Sequence, residues 1–499
     1  MMGHQPTPQP KLFYERIRLD QRIRSDHVLR RIAQHVDFDF IYPEVRDSYG
    51  ANGHVSVPPP VILKLMLLLI LYNVRSEREL MATLPERLDW LWFLGFDLDD
   101  ALPNHSVLSK ARTRWGTEAF KQFFERIVRQ CVEGGLVDGR KLFMDSCLVK
   151  ANASNNSVVN TGKLQAQLDR GYRQLQQRLD EPEQAEAANR THISTTDPDA
   201  SSVRRGGGNA TLQYQVHRAV DERCEVITAT EVSTGSVHEA HRMESLLDGH
   251  AHTTGTEATV CVADSKYGTI ENYLSCYDRG TQSHFASLEH TQRGSGRQAG
   301  ILPKEAFTYA PGSDSFTCPA GQRLTRRRLN VRRQQWEYTA GAAVCARCPL
   351  QPQCTRSKSG RSLQRHVRQA ALDRMRSQAE SPQGRADRRQ RQHLMERSFA
   401  RGTRYGIKRA RWRRLWRVSI QEYLTATIQN ILVFLRHFSK PLKAVPQRRG
   451  PAASLRSLIR TGYKRLADCG GVPLQALAPQ AACHLLSFRL CFGQQPVKM

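Results

Sequence analysis

Three acidic side chains, far apart in the sequence, have the clearest potential for chemistry. Asp145 lies in the apolar stretch KLFMDSCLVK, Asp264 ends the apolar stretch TVCVAD, and Glu396 lies in the basic stretch HLMERSFARG. An ionised carboxylate in apolar surroundings is costly unless a cation or hydrogen-bond donors receive it. The alternative role for each aspartate is a helix cap or a salt bridge, and for Glu396 it is pairing with a neighbouring arginine. If the three carboxylates meet, they form a metal site.

Carboxylate oxygens are the ligands that Mg²⁺ prefers, and such a site keeps positions open for water and phosphate. A pair of ions can support cleavage of a phosphodiester bond, because one activates water or a 3′-hydroxyl and the other stabilises the leaving oxygen. In this interpretation Asp145 is shared by both ions, and Asp264 and Glu396 each complete one of them. The predicted cofactor is Mg²⁺ or Mn²⁺.

The elements that would position these acids follow one another in a recognisable order. The first strand surrounds Asp145, and a later helix carries Glu396. The other predicted elements are strands at 212–220, 226–232, 259–264 and 283–288 and a helix at 238–248. The order β, β, β, α, β, α, β, with acids on the first and fourth strands, predicts an α/β, RNase H-like mixed sheet flanked by helices.

Composition divides the chain into five segments. Residues 12–138 carry helix caps and helically spaced apolar residues, which predicts an all-α N-terminal domain with a DNA-binding role. The catalytic core is predicted in two parts, 139–288 and 376–439, separated by a Cys- and Arg-rich insertion at 289–375. Residues 440–499 are rich in Pro, Arg and Ala, so we expect a basic, poorly ordered tail.

Charge points to a polyanionic partner. The formal net charge is +27, which favours nucleic acid. Residues 385–417 hold thirteen Lys or Arg against two acids, whereas a solvated helix face would mix both signs. The predicted DNA-binding residues in this segment are Arg397, Arg401, Arg404 and Lys408. In the N-terminal segment Lys110, Arg112 and Arg114 either contact phosphate or form a solvated helix face. Trp412 and Trp416 are predicted to be core residues rather than base-stacking platforms.

Four cysteines cluster in the insertion. Cys318, Cys345, Cys348 and Cys354 have the spacing C-x26-C-x2-C-x5-C. A tetrahedral, structural Zn²⁺ held by the four would stabilise a segment with little core of its own. The alternative is that the cysteines only pack against each other.

Compartment and membrane association are also constrained. The N-terminus MMGHQPTPQPK is polar and lacks the apolar region of a secretory signal, so a cytoplasmic protein is expected. The apolar run VILKLMLLLILY, residues 61–72, is too short to span a bilayer and contains a lysine. It is predicted to be a buried helix, and no membrane partner is expected.

Several stretches, in colinear order over residues 12–437, resemble bacterial insertion-sequence transposases of the DDE class, in the branch with a cysteine-containing insertion before the Glu. The stretches that carry the resemblance include VPPPVILKLMLLLILYNVRSERELMATLPERLDWLWF, KLFMDSCLVKANAS, GSVHEAH, VCVADSKYGTIENY, CPAGQRL, CARCPLQPQC and HLMERSFARGTRYGIKRARWRR. The resemblance implies that Asp145, Asp264 and Glu396 are the catalytic triad. Around Glu396 the chain departs from the family: Arg389, Gln392 and Thr403 stand where relatives often carry Tyr, Arg and Lys.

The resemblance implies a metal-dependent transposase that cleaves double-stranded DNA at the terminal inverted repeats of an insertion sequence and joins the ends to target DNA. Because two DNA ends must be held together, we expect a homodimer in the active complex. The expected location is the bacterial cytoplasm, with nucleoid association when the protein is bound to DNA. Two alternatives remain open. One is a catalytically inactive, transposase-derived DNA-binding protein, and the other is an RNase H-like nuclease without strand transfer.

Overall fold

The structure, a computed structural model, describes residues 1–4, 19–51, 54–160, 192–204, 208–286 and 300–438. The tail at 440–499 and the start of the insertion at 289–299 lie outside the described residues. No helix in the described ranges is long and apolar enough to cross a membrane.

The described N-terminal part is helical up to residue 133. Its helices are α1 Leu19–Arg22, α2 Val28–His35, α3 Ile41–Val45, α4 Pro59–Leu71, α5 Glu77–Thr83, α6 Leu88–Leu94, α7 Ser106–Trp115 and α8 Glu118–Glu133. Proline occupies the first turn of α4, where its missing N–H is not needed, and the Ser76 side chain accepts a hydrogen bond from the Glu79 N–H to cap α5. As predicted, α4 is buried over most of its length.

A mixed α/β region follows. Its elements are β1 Lys141–Lys150, β2 Val158–Asn160, β3 His192–Ser194, β4 Ser201–Val203, β5 Thr211–Asp221, β6 Ile227–Thr234, α9 Met243–Thr254, β7 Val260–Val262, α10 Ile270–Asp278 and β8 Gln282–His284. In the main sheet β1 lies between β5 and β7, β8 lies beyond β7, and β6 and β4 both pair with the outer side of β5. Strands β5 and β6 run antiparallel to their neighbours, whereas β7 and β8 run parallel to β1. This mixed sheet fits the predicted core.

The insertion forms a second sheet, which the sequence did not predict. It contains β9 Thr308–Ala310, β10 Ser315–Thr317, β11 Arg323–Asn330, β12 Gln335–Thr339, α11 Ala342–Ala346, α12 Gln351–Cys354 and β13 Ser362–His366. The five strands are antiparallel neighbours in the order β13-β12-β11-β10-β9. Its core is small and is made of Phe307, Phe316, Leu324, Tyr338, Ala340 and Leu363.

Three further helices complete the described chain: α13 Gln369–Ala379, α14 Pro382–Thr403 and α15 Leu415–Phe438. Helices α9, α10 and α13 cover one face of the main sheet, and α8, α14 and α15 cover the other. Helix α15 also belongs to the core of the N-terminal helices, because its residues Ile420, Leu424 and Ile428 pack in the same apolar cluster as α4 and α6. One helix therefore joins the two regions.

Candidate active site

Asp145 lies in the middle of β1, directly opposite Arg218 on β5. Because side chains alternate along a strand, Asp145 lies on the same face as Phe143, which is the face covered by α14. From that helix Arg391 donates to Asp145, with 2.7 Å between Nη1 and Oδ2. The side chain of Asp145 is 25% exposed, so it is screened from water but still accessible.

Asp264 follows β7 instead of ending it. The strand stops at Val262, and Asp264 caps the 3₁₀ turn Ser265–Tyr267 by accepting a hydrogen bond from the Lys266 N–H at 3.0 Å. The predicted strand at 259–264 is thus shorter than expected. Since β7 runs parallel to β1 and pairs with it, its carboxyl end brings Asp264 beside Asp145.

A third acid, Glu239, joins these two aspartates. It begins the 3₁₀ turn Glu239–Arg242, between β6 and α9, and the His238 side chain caps this turn by accepting from the Ala240 N–H. Glu239 is only 4% exposed, and Lys266 Nζ lies 2.6 Å from its Oε1. Glu239 lies in GSVHEAH, one of the stretches that carry the family resemblance, but the sequence alone predicts no role for it. Its only signal in the sequence was its place in that stretch.

One carboxylate oxygen from each of Asp145, Glu239 and Asp264 lies within 4.8 Å of the other two. In the described part of the chain no other set of three His, Cys, Asp or Glu side chains meets as closely. At an effective dielectric constant of about 20, two unit charges 4.8 Å apart repel by about 3.5 kcal/mol. This three-acid group therefore needs positive charge, and its donor atoms are those that hard divalent cations prefer.

The surroundings of the three-acid group disfavour ionisation without a cation. Burial raises the pKa of Asp145, although Arg391 opposes the shift, and the charges of the two other acids raise it further. Burial and then Glu239 raise the pKa of Asp264, while Lys266 and Arg391 act against them. These are the conditions under which a divalent ion stabilises the ionised carboxylates.

Tyr267 forms part of the wall behind the three-acid group. Its side chain is completely buried, and its hydroxyl has no hydrogen-bond partner among the described residues. Burial raises its pKa, and the charges of the three acids raise it further. The hydroxyl thus stays protonated.

Glu396 lies elsewhere on α14 and is not a member of the three-acid group. It is exposed and accepts a hydrogen bond from Gln392, with 3.2 Å between Nε2 and Oε1. Five residues separate it from Arg391, which corresponds to about 140° around a helix. The side of α14 that reaches Asp145 thus carries Arg391, and Glu396 lies on a different side of the helix. The role of Glu396 as a metal ligand stays a prediction.

The four predicted DNA-binding residues have different surroundings. Arg397 and Arg401 both pair with Glu225 in the turn between β5 and β6, each at 2.6 Å. Arg404 and Lys408 are exposed. Helix α14 ends at Thr403, so Lys408 does not continue its helical spacing. DNA contact by these residues stays a prediction.

The four cysteines of the insertion line one small cavity, and none forms a disulfide. The N–H of Gln322 donates to the Cys318 sulfur at 3.3 Å, and the N–H of Arg361 donates to the Cys345 sulfur at 3.5 Å. Burial raises the pKa of Cys354, and its cysteine neighbours act in the same direction. The sulfurs are spaced more widely than the oxygens of the three-acid group. Their chemistry nevertheless fits a thiolate metal site.

Two family models match parts of the chain. Residues 17–114 match a transposase domain (DUF772), and residues 317–435 match a transposase DDE domain. The second match contains Glu396 and the four cysteines, but neither Asp145 nor Asp264. No curated protein matches the chain. Among solved structures, a piggyBac transposase in a synaptic complex with hairpin DNA matches 82% of this chain and 74% of its own, with 8% identity and a TM-score of 0.34. This similarity is too low to inform the role of any residue in the site.

Proposed function

Because this chain belongs to the insertion-sequence DDE transposases, we propose that it cleaves DNA at the terminal inverted repeats of an insertion sequence and joins the 3′ ends to target DNA. The observation that carries this proposal is the meeting of Asp145, Glu239 and Asp264 within 4.8 Å. Polynucleotide cleavage at a cluster of carboxylates is the chemistry for which such an arrangement is suited.

In this proposal the three acids hold Mg²⁺ or Mn²⁺. The chemistry that bound ions would supply there is activation of the attacking water or 3′-hydroxyl and stabilisation of the leaving oxygen. The protein's own contribution is to orient the ligands: Arg391 fixes one oxygen of Asp145, and Lys266 fixes one oxygen of Glu239. Partial burial of the acids limits competition from bulk water, which strengthens their interaction with a cation.

Glu396 stays part of the proposal as the acid that the family resemblance assigns. Geometry favours Glu239 as the third member of the group that contains Asp145 and Asp264. Glu396, on the exposed side of α14, is then the candidate for a second ion. Substituting each glutamate in turn separates the two roles.

We assign the main sheet to the RNase H-like class. The support is its order, with β1 between β5 and β7 and an antiparallel β5–β6 pair on one side. We further propose that the active form is a homodimer that binds two DNA ends. A Zn²⁺ held by the four cysteines would stabilise the insertion, whose sheet has only a small apolar core of its own.

The proposal is tested with purified protein, Mg²⁺ and DNA that carries the ends of the element. Wild type should nick at the ends and join them to target DNA, and Asp145→Ala should do neither. Absence of cleavage by wild type would contradict the enzyme and favour the inactive DNA-binding alternative. Cleavage without joining would favour the nuclease. Equal activity of Asp145→Ala would refute the site.

A further inference from the structure

A groove lies between α7 and the chain that leads into α15. Its cationic side chains are Lys110, Arg112 and Arg114 from α7 and Arg417 from α15, and Trp412 forms part of the wall. The remaining lining residues are two hydroxyl-bearing side chains, and no acid of the described ranges lines the groove. Since the lining is strongly positive, its chemistry suits an anion.

Arg112 is built into the wall of this groove. It is only 4% exposed, it forms an ion pair with Glu77, and its guanidinium stacks 4.1 Å above the ring of Trp412. The Trp412 indole N–H also donates to Glu77, at 3.2 Å. The Nε atom of Arg112 is buried and has no hydrogen-bond partner in the described structure. Residues from two distant parts of the sequence thus fix one guanidinium in place.

Arg417 brings a second guanidinium to the same groove. It stacks on the neighbouring Trp416 ring at 4.6 Å. Burial lowers the pKa of Arg112, Glu77 opposes this shift, and the charge of Arg417 lowers the pKa further. Both guanidinium groups belong to side chains that line this one groove, so their like charges repel each other. Two like charges facing one groove favour an anion that interacts with both.

The outer edge of the groove is exposed and extends along α7. Lys110 and Arg114 are both exposed and are separated by four residues, about 6 Å along a helix. Phosphates on one strand of double-stranded DNA repeat every 3.4 Å or so along its axis. Ser109 and Thr113 lie between and beside these cations and add hydroxyl donors. The edge thus matches an extended phosphate chain better than a single small anion.

We propose that this groove binds the phosphodiester backbone of double-stranded DNA, so that α7 and α15 hold one duplex together. The choice of DNA as the polyanion rests on the proposed function. Because Arg112 and Trp412 connect the helices of the N-terminal region to the segment before α15, the groove would fix that region and the sheet on the same DNA. The contact is to phosphate, so it contributes affinity and register but no base recognition.

The test measures binding of the full-length chain to a fluorescein-labelled DNA duplex, by anisotropy, in EDTA and over a range of salt concentrations. The variants are Lys110→Ala, Arg417→Ala and the double variant. Each lost phosphate contact should make the negative slope of log K against log salt shallower by about 0.9, and weaken binding roughly eightfold at about 0.1 M salt. The double variant should lose roughly 60-fold by the same relation.

Matched controls remove an arginine that does not line the groove. Arg24, whose side chain is 78% exposed, and Arg374, which is exposed on α13, serve this purpose as Arg24→Ala and Arg374→Ala. Both controls should keep the wild-type slope. Thermal unfolding of every variant at the wild-type temperature establishes that the groove substitutions act on binding.

Unchanged slope and affinity in the folded double variant would overturn the proposal. A second result would also overturn it: inorganic phosphate binds the wild type as tightly as the duplex does, and the double variant loses this binding. The groove would then be a site for small anions. Since EDTA prevents cleavage, the result is independent of the proposed chemistry. If the wild type cleaves DNA and the double variant binds the duplex as tightly as wild type, the groove proposal is refuted and the proposed function is not. If the wild type does not cleave DNA but the double variant binds the duplex more weakly than wild type, the proposed function is refuted and the groove proposal is supported.

Discussion

Replacing Glu239 with glutamine removes one charge from the three-acid group and keeps the size of the side chain. Even at 4.8 Å, the outer limit of the oxygen–oxygen separations in the group and farther than any ligand lies from its ion, a divalent ion and one carboxylate attract by about 7 kcal/mol at an effective dielectric constant of about 20. If the replacement ligands recover half of that, about 3.5 kcal/mol are lost, which corresponds to roughly 400-fold in metal affinity. Glu239→Gln should thus lose its tight metal site and, with it, cleavage.

Glu396→Gln is the matched control, since it makes the same chemical change on an exposed residue outside the group. Its affinity for the first metal ion should stay within about twofold of wild type, as for most exposed substitutions. If Glu396 completes a second ion, as the resemblance implies, this variant loses cleavage but keeps the tight site.

The assay is Mn²⁺ binding, followed by electron paramagnetic resonance of the free ion, beside the Mg²⁺-dependent cleavage of DNA ends. Unchanged Mn²⁺ affinity in Glu239→Gln would refute the reasoning from geometry. Loss of the tight site in Glu396→Gln would instead require that Glu396, and not Glu239, completes the group.

Four further outcomes are expected. Because burial raises the pKa of the two aspartates in the three-acid group, protons should displace Mn²⁺ as pH falls towards those raised values, above the range of an exposed aspartate; calorimetric titration across pH checks this. Because the folded state binds these protons more tightly than the unfolded state, the metal-free protein should gain stability as pH falls through the folded-state pKa of these groups. Denaturation in EDTA measures this gain. Arg218→Met should cost roughly 3–5 kcal/mol of unfolding free energy, because it leaves Glu422, 2% exposed, buried and unpaired, and adding Glu422→Leu should recover much of this loss. Cys345→Ser should lose bound zinc, measured by mass spectrometry of the metal, whereas Cys224→Ser, at a cysteine outside the cavity, should keep it.

The main sheet was predictable because burial leaves a clear pattern in its strands. The alternation in LQYQVHRAV and the apolar run around Asp145 correspond to β5 and β1, within a residue or two of their ends. Asp264 was placed at a strand end from the same pattern. The strand is shorter because the aspartate side chain binds the backbone of the next turn, and this local bond competes with strand pairing.

The membership of Glu239 in the three-acid group was not predictable from local pattern. It lies on a 3₁₀ turn with no periodicity, and it reaches the site only because the chain turns back over the sheet after β6. The direction of Glu396 was also hidden. The sequence predicts that Glu396 lies on a helix, but not which face of that helix carries it. The apolar residues of α14 are too sparse to define a single buried face.

The second sheet was missed for a similar reason. Strand β11 reads RLTRRRLN, and six of its eight residues are exposed. Its arginines find partners across the sheet, such as Glu337 for Arg328 at 2.7 Å, which no single stretch of sequence reveals. Strands stabilised by pairing with polar neighbours lack the alternation on which prediction depends.

The shared helix α15 has a consequence for synthesis. The N-terminal helices up to Glu133 leave the ribosome first, but their core includes residues of α15, which begins at Leu415. Roughly 280 residues lie between, which is on the order of 15–60 s of translation at 5–20 residues per second. During that interval the nascent N-terminal region lacks the apolar residues of α15 that complete its core. The N-terminal region therefore completes its folding only when the last described helix has been made.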